Sequence, residues 1–319
     1  MNIKKAVITA AARGERLYPV ADTVQKAMLP IIDMDGINKP IIQIIAEEAI
    51  SSGIEEICII CAPGDEERYI ESFLSLHSTL LKAYKNSDWA QTQAANIKNL
   101  LDRLSFTIQN EPLGYGHAVY QAKEFVNNEP FILLLGDYLY VSAHKEKRCA
   151  QQLIELAVRE DCSVSAVNPT IEHLINKYGT LTGRSLLTYN DVYQIERIIE
   201  KPSVSQAELE LQTPGLRAGY YLCFFGMHVF KPSLFDLLSE SVENPKNDIM
   251  LLTPVLEKLA QTDKYLALEI KGNRFDTSKK LGLMEAQIAL GLSGNLREEI
   301  LSIIIQILAE SGKRNTLCS

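Results

Sequence analysis

Three short runs in this chain are apolar at nearly every position: Ala6-Val-Ile-Thr-Ala10, Ile57-Cys-Ile-Ile-Cys61 and Phe131-Ile-Leu-Leu-Leu135. A strand with one wet face alternates apolar and polar residues. A strand without alternation must be covered above and below. Between the first two runs, Ile41, Ile42, Ile45, Ala49 and Ile50 recur at helical spacing, and Gly53 stands where a helix stops. Strand, loop, helix and strand in about 60 residues make a βαβ unit. Further strands are predicted at Phe106–Gln109 and Ser163–Val167, with helices over Gly116–Val126 and Cys149–Arg159. The expected fold is α/β, a Rossmann-like, mostly parallel mixed sheet covered by helices.

After Asn168 the pattern loosens. Tyr178–Leu181, Tyr193–Ile199, Tyr220–Phe230 and Lys264–Ile270 are strand-like, with helices predicted over Ser233–Glu240 and Ile249–Gln261. Lys279–Leu292 and Asn295–Glu310 read as closing helices. The last carries Leu296, Ile300, Ile303, Ile304 and Leu308 as an apolar stripe, expected to pack on its own domain or, alternatively, on a second copy. Ser78–Leu104 is a polar, helix-prone insertion that holds Trp89, the single tryptophan, and suggests no chemistry.

Net charge is 32 − 40 = −8. That opposes a general nucleic-acid binder, which needs excess Lys and Arg, but leaves room for a local anion site. Cys58 and Cys61 have redox or zinc spacing. On a strand, residues three apart face opposite ways, so they cannot jointly grip one metal. With no completing Cys or His pair, the six cysteines read as buried thiols rather than zinc ligands or a disulfide frame. No apolar stretch reaches the roughly 18 residues needed to cross a bilayer, and the first run is too short for a secretory signal. The expectation is a soluble cytoplasmic protein, without membrane or nucleic-acid partners.

A loop after the first strand of such a sheet lies at the carboxyl edge, where open α/β sheets bind ligands. Here it reads Ala11-Ala-Arg-Gly-Glu-Arg-Leu-Tyr-Pro19. Gly14 permits close backbone approach, Arg13 and Arg16 offer forked donors to phosphate, and Lys26 adds a point charge. It is neither a Gly-x-x-x-x-Gly-Lys-Ser/Thr phosphate loop nor a Gly-x-Gly-x-x-Gly fingerprint. Taken alone, it reads better as a surface turn with two solvated arginines. Asp137 alone could cap a turn, Glu200-Lys201 could be a solvated pair at a strand exit, and His117 reads as structural. Phe224, Phe225, Met227 and Phe230 read as core.

In company these segments resemble the sugar-phosphate nucleotidyltransferases. Ala10–Pro19 with Lys26-Ala-Met-Leu-Pro30 resembles their Gly-x-Gly-Thr-Arg-x-x-Pro and Lys-x-x-x-Pro signature. Gln109-Asn-Glu-Pro-Leu-Gly114-Tyr-Gly-His-Ala118 resembles the base-recognition segment, and Leu135-Gly-Asp137 the first metal aspartate. Glu200-Lys201-Pro202 resembles the sugar-phosphate motif. Phe275-Asp276-Thr277, followed by Lys280-Leu-Gly-Leu-Met284, resembles the second metal aspartate and closing helix. The order holds from residue 6 to about 290. Tyr178-Gly179 and Gly114-x-Gly-His-Ala point to the branch of bacterial UTP–glucose-1-phosphate uridylyltransferases. Leu135-Gly-Asp and Asp276-Thr are closer to thymidylyltransferases.

The resemblance implies Mg²⁺-dependent nucleotidyl transfer from UTP to a hexose 1-phosphate, glucose 1-phosphate first, releasing pyrophosphate. It implies catalytic roles for Arg16, Lys26, Asp137 and Lys201, and nucleotide contacts from Ala11, Ala12, Gly14, Gln109 and Gly114. Tyr178, Gly179, Glu200 and Lys201 would hold the sugar, and Asp137 and Asp276 the metal. The nucleotidyltransferase domain would span 1–292, with a nucleotide half at about 1–168 and a sugar-binding half at about 169–277. Residues 293–319 would form a carboxyl-terminal helix for packing or homo-oligomerisation. Departures stand beside these matches: Ala12 for the first loop glycine, Glu15 for threonine, Ile249-Met-Leu-Leu-Thr-Pro254 for Glu-Ile-Gln-Leu-Thr-Asp, Ser278 for a glycine, and five inserted residues, Met34–Asn38. They keep two alternatives open: a dTTP- or other nucleotide-dependent enzyme, and a regulatory or binding paralogue with impaired turnover.

Overall fold

The structure is a computed structural model that describes residues 1–12, 14, 17, 23–243 and 248–316, with no side chains described beyond 310. In chain order the first elements are β1 (Lys5–Thr9), β2 (Pro30–Ile32), β3 (Asn38–Pro40), α1 (Ile41–Ile50) and β4 (Glu56–Cys61). Then come α2 (Asp65–Ala83), α3 (Asp88–Leu101), β5 (Leu104–Ile108), α4 (Tyr115–Tyr120), α5 (Lys123–Val126), β6 (Phe131–Leu135) and β7 (Tyr138–Ser142). They are followed by α6 (Cys149–Glu160), β8 (Ser163–Ile171), β9 (Gly179–Ser185), β10 (Val192–Glu200), α7 (Val204–Glu210) and β11 (Tyr220–Phe230). The chain closes with α8 (Leu234–Glu243), α9 (Thr253–Thr262), β12 (Tyr265–Glu269), β13 (Gly272–Asp276), α10 (Gly282–Ser293) and α11 (Arg297–Thr316).

Among the described residues the main sheet has nine strands in the order β5-β4-β1-β6-β11-β8-β12-β10-β9. The runs that lack alternation, with β5, form its parallel half: β4 and β6 flank β1, and β5 adds to β4. Beyond β6 the sheet turns mixed. β11 runs antiparallel to β6 and β8, and β12 is parallel to β8. Successive residues point to opposite faces. Ile8, Ile59 and Leu134 pack in the core with α1 and α6, while Val7, Cys58 and Leu133 pack in the core with α4, α8 and α9. Cys58 and Cys61 fall in these two separate cores, each a free buried thiol, and burial raises the Cys61 pKa to about 12. The pair grips nothing jointly.

Four local expectations change. The helix over 116–126 is two short helices, α4 and α5, broken at Gln121 and Ala122. Residues 249–252 are not helical; α9 starts at Thr253 with Pro254 in its first turn, where a missing N–H costs nothing. The insertion at 78–104 is helical but its first helix begins well before it: α2 runs from Asp65 and packs on α3, with buried Tyr69, Phe73, Ala94 and Ile97. The predicted stripe over the last helix divides: Leu296, Ile300 and Ile304 are half-buried, the first two against Gly36 and Gly291, whereas Ile303 and Leu308 are exposed. Two short antiparallel pairings were not foreseen, β2 with β3 and β7 with β13. The second sets the site, because it carries residues 137 and 276 to adjacent strand ends.

Candidate active site

The parallel strands β1 and β6 end side by side. Gly136 N–H donates to the Thr9 carbonyl at 2.9 Å, so Asp137 emerges beside the loop that follows β1. Lys26 lies in a short 3₁₀ turn, Lys26–Met28, and crosses to it: Nζ sits 2.6 Å from Asp137 Oδ2. The Lys26 side chain is 8% exposed. Such a pair is strongly coupled, because removing one partner leaves the other charge buried. Gly14 has φ 77° and lies against the Lys26 stem, where a Cβ would come within 3.2 Å of Cδ. A side chain there would meet both strain and crowding. Ala11 is half-buried and Ala12 exposed on the same loop, while Arg13, Glu15 and Arg16 lie outside the described residues.

Asp276 ends β13. Its Oδ1 accepts from Ser278 N–H at 3.0 Å and from the Ser278 hydroxyl, and Lys279 Nζ lies 3.5 Å from Oδ2. Thr277 ties the two aspartate turns together: its N–H and its hydroxyl donate to the Asp137 carbonyl, at 2.9 and 2.8 Å. Both carboxylates line one cavity of about 340 Å³, along with Tyr178, Gly179, Glu200, Lys201 and Thr253. Among the described residues no three His, Cys, Asp or Glu side chains gather into a cation cage. Two hard carboxylates on one cavity are nonetheless a donor set that Mg²⁺ favours, since it completes its shell with water and the oxygens of a phosphate substrate. The residues present fit that ion.

The opposite wall is built from strand ends of the mixed half. Glu200 closes β10; its Oε2 accepts from the Thr253 hydroxyl at 2.5 Å. Lys201 sits at φ 47° with its N–H on the Tyr178 carbonyl at 3.1 Å; its ammonium lies 3.5 Å from Glu200 Oε1, and the side chain stays 56% exposed. Gly179 is needed for space: a Cβ there would come 2.8 Å from the Phe224 ring and 3.1 Å from Glu200 Oε2. Arg274 stacks on the Tyr178 ring at 4.2 Å, and Lys279 Nζ donates to its hydroxyl at 2.9 Å. Burial alone would raise the Tyr178 phenol. The hydrogen bond from Lys279 and the nearby positive charges of Arg274 and Lys279 outweigh it and hold the pKa below the ordinary value.

Gln109 and Gly114 stand together: Gln109 Nε2 donates to the Gly114 carbonyl at 3.2 Å and lies 3.0 Å from His117 Nδ1. His117 Nε2 in turn lies 3.0 Å from Gln121 Nε2. So His117 is structural, and what it fixes is the Gln109 amide. The altered segment after 248 clasps this loop, with Met250 N–H on Leu113 O at 2.7 Å and Gly116 N–H on Met250 O at 2.9 Å. Thr253, Lys279 and Arg274 escaped the sequence reading. Thr253 lies in the segment whose pattern departs from the motif, and Lys279 precedes the quoted Lys280 helix, so neither position carried its own signal.

Residues 5–290 match the Nucleotidyl transferase family. The chain belongs to that family. It is 32% identical over 310 residues, 96% of each chain, to the UTP–glucose-1-phosphate uridylyltransferase of Streptococcus pneumoniae serotype 4. A Bacillus subtilis (strain 168) protein of the same name is 32% identical over 320 residues, 99% of this chain and 97% of its own. Among solved structures, a UDP-glucose pyrophosphorylase complexed with UDP-glucose aligns with TM-score 0.72 at 29% identity, over 90% of this chain and 98% of its own. The Acinetobacter baumannii UDP-glucose pyrophosphorylase aligns with TM-score 0.77 at 26% identity, over 96% of this chain and all of that one (100%). Among the described residues no helix is long and apolar enough to cross a membrane.

Proposed function

We propose that this nucleotidyltransferase moves a uridylyl group from UTP to glucose 1-phosphate. The observation that carries the reading is one cavity flanked by an aspartate–lysine pair, a second aspartate and a glutamate–lysine pair, in a chain whose relatives carry that enzyme name. A phosphate oxygen of the sugar attacks the α-phosphorus, a P–O bond forms, and the bond to pyrophosphate breaks. Such transfer needs positioning and charge neutralisation rather than a covalent nucleophile. Lys26 holds the triphosphate by exchanging the Asp137 oxygen for a phosphate oxygen, with Arg16 beside it by motif. Ala11, Ala12 and Gly14 supply the backbone of that loop. Gln109 and the Gly114 backbone read the base. Lys201 holds the sugar phosphate; Glu200, oriented by Thr253, holds sugar hydroxyls between Tyr178 and Gly179. Asp137 and Asp276 would hold Mg²⁺, which supplies charge stabilisation when bound. The sheet then divides into a nucleotide half and a sugar half near residue 168. Buried reduced thiols at Cys58, Cys61, Cys149, Cys162 and Cys223 agree with a cytoplasmic setting.

The test is pyrophosphate release from UTP, dTTP, ATP, CTP and GTP against a panel of sugar 1-phosphates. The expected best pair is UTP with glucose 1-phosphate. A best rate with dTTP, or with another sugar, replaces the substrate assignment. No release from any pair leaves a binding paralogue.

A further inference from the structure

A second cavity of about 410 Å³ lies away from the aspartates, between the β2–β3 turn, α1 and the α2–α3 pair. It joins two features that the proposed reaction does not use: the five inserted residues, through Gly36, Ile37 and Asn38, and the insertion that carries Trp89. Tyr84 and Trp89 stand at its mouth, each 50% exposed, with ring centroids 5.6 Å apart and planes tilted by 50°. Exposed aromatic pairs are costly on a free surface and offer flat faces for stacking.

The polar groups of the cavity are sparse and specific. Gln43, 1% exposed, donates through Nε2 to Glu47 Oε1 at 2.8 Å, but its Oε1 is buried with no hydrogen-bond partner among the described residues. A buried acceptor left unpaired is costly unless something satisfies it. Gln93, 7% exposed, lines the same space, and its amide hydrogen-bonds to no described residue. Among the described lining residues the one cation, Lys39, is already spent. Its Nζ lies 2.7 Å from both Asp33 Oδ2 and Asp35 Oδ2, and 2.8 Å from Glu47 Oε2. Among the described residues an anion therefore finds no free cationic partner here. The remaining walls include Ile37, Leu76, Leu80 and Ile97, against which sugar hydroxyls would be left unpaired.

We propose that this cavity is a second ligand site, for a neutral planar heteroaromatic ring that stacks on Tyr84 and Trp89 and gives an N–H donor to Gln43, the chemistry of a nucleobase. The volume is within the range of small-molecule sites and holds one such ring with a short substituent. The site goes beyond the transfer reaction and needs no phosphate.

Trp89 is the single tryptophan, so its fluorescence reports this cavity alone. The experiment titrates the full chain with uncharged nucleosides, adenosine and uridine, with glucose and choline as the sugar and cation arms. Expected is saturable quenching by a nucleoside, weakened roughly tenfold or more by Gln43→Leu, which removes the acceptor, and by Tyr84→Ala. Tyr84→Ala changes a half-exposed position, so it keeps the fold readable if the Gln43 variant fails to fold, and it should leave pyrophosphate release unchanged. Quenching by glucose or choline but by no nucleoside overturns the assignment. So does nucleoside quenching that neither substitution weakens, and so does the absence of any saturable response.

Discussion

The two walls of the cleft hold their charges differently. On the nucleotide wall, Lys26 and Asp137 form a close, largely buried pair between residues 111 apart in the chain. On the sugar wall, Glu200 and Lys201 are neighbours in sequence, more open to solvent and farther apart. A buried pair is costly to break from one side, whereas an exposed pair contributes little to stability. The proposed nucleotide wall is thus part of the scaffold as well as of the proposed chemistry. The proposed sugar wall can change with small cost to the fold, which suits a part of the site that would select the acceptor.

The contrast can be broken most sharply at Asp137. Asp137→Asn leaves the Lys26 ammonium without its charged partner and removes one of the two carboxylates proposed to hold Mg²⁺. Turnover should fall by roughly 10³-fold, about 4 kcal/mol, measured as pyrophosphate release. A variant that keeps more than a tenth of native turnover would remove Asp137 from the reaction.

A second, smaller effect concerns His228, which lines the cleft floor. Its ring lies 2.5 Å from Ser165 Oγ and stacks on Phe230, and burial pushes its pKa down to about 3. Unfolded histidine titrates near 6.5, so below that pH the unfolded chain takes up a proton that the folded one refuses. The stability is present above about pH 6.5 and is lost as pH falls toward 3. Between pH 7 and 5 this group costs about 2 kcal/mol. Denaturant unfolding of the native protein and of His228→Gln should show the variant's pH slope flattened by that amount; parallel slopes would contradict it.

The smallest effect is expected in the divergent phosphate loop. Residues 12–16 carry Arg13, Glu15 and Arg16, a net of +1 that equals one arginine without the glutamate. On this charge count Arg13 and Glu15 compensate each other, a pairing that lies outside the described residues. Ala12→Gly with Glu15→Thr should therefore leave the nucleotide KM unchanged or lower it modestly. Turnover that arises only in the restored loop would favour a regulatory protein over an enzyme.

Legibility in the sequence followed the same divide. β1, β4 and β6 are buried on both faces, so their apolar runs announce them, and the motif residues at their ends land beside one another. β7 and β13 are short and mixed in polarity; each is a strand because the other pairs with it from far along the chain, as Asp276 opposite Tyr138, 276 − 138 = 138 residues apart, shows. No local pattern encodes that. Residues 249–252 could be read as a helix from their apolar run, but the Met250 backbone bonds to Leu113 and Gly116 instead. The second cavity was invisible for a further reason. Gln43 sits within an apolar helix and Trp89 within a polar insertion, and only packing joins them.

The division of labour between the walls is tested most directly by one paired measurement: the KM for UTP and for glucose 1-phosphate in Lys26→Ala and Lys201→Ala. A lost charge-assisted phosphate contact is worth about ten- to a hundredfold. The account predicts a crossed pattern, with Lys201→Ala raising the sugar-phosphate KM by that factor and sparing UTP, and Lys26→Ala doing the reverse. Equal changes in both constants, in either variant, would contradict it.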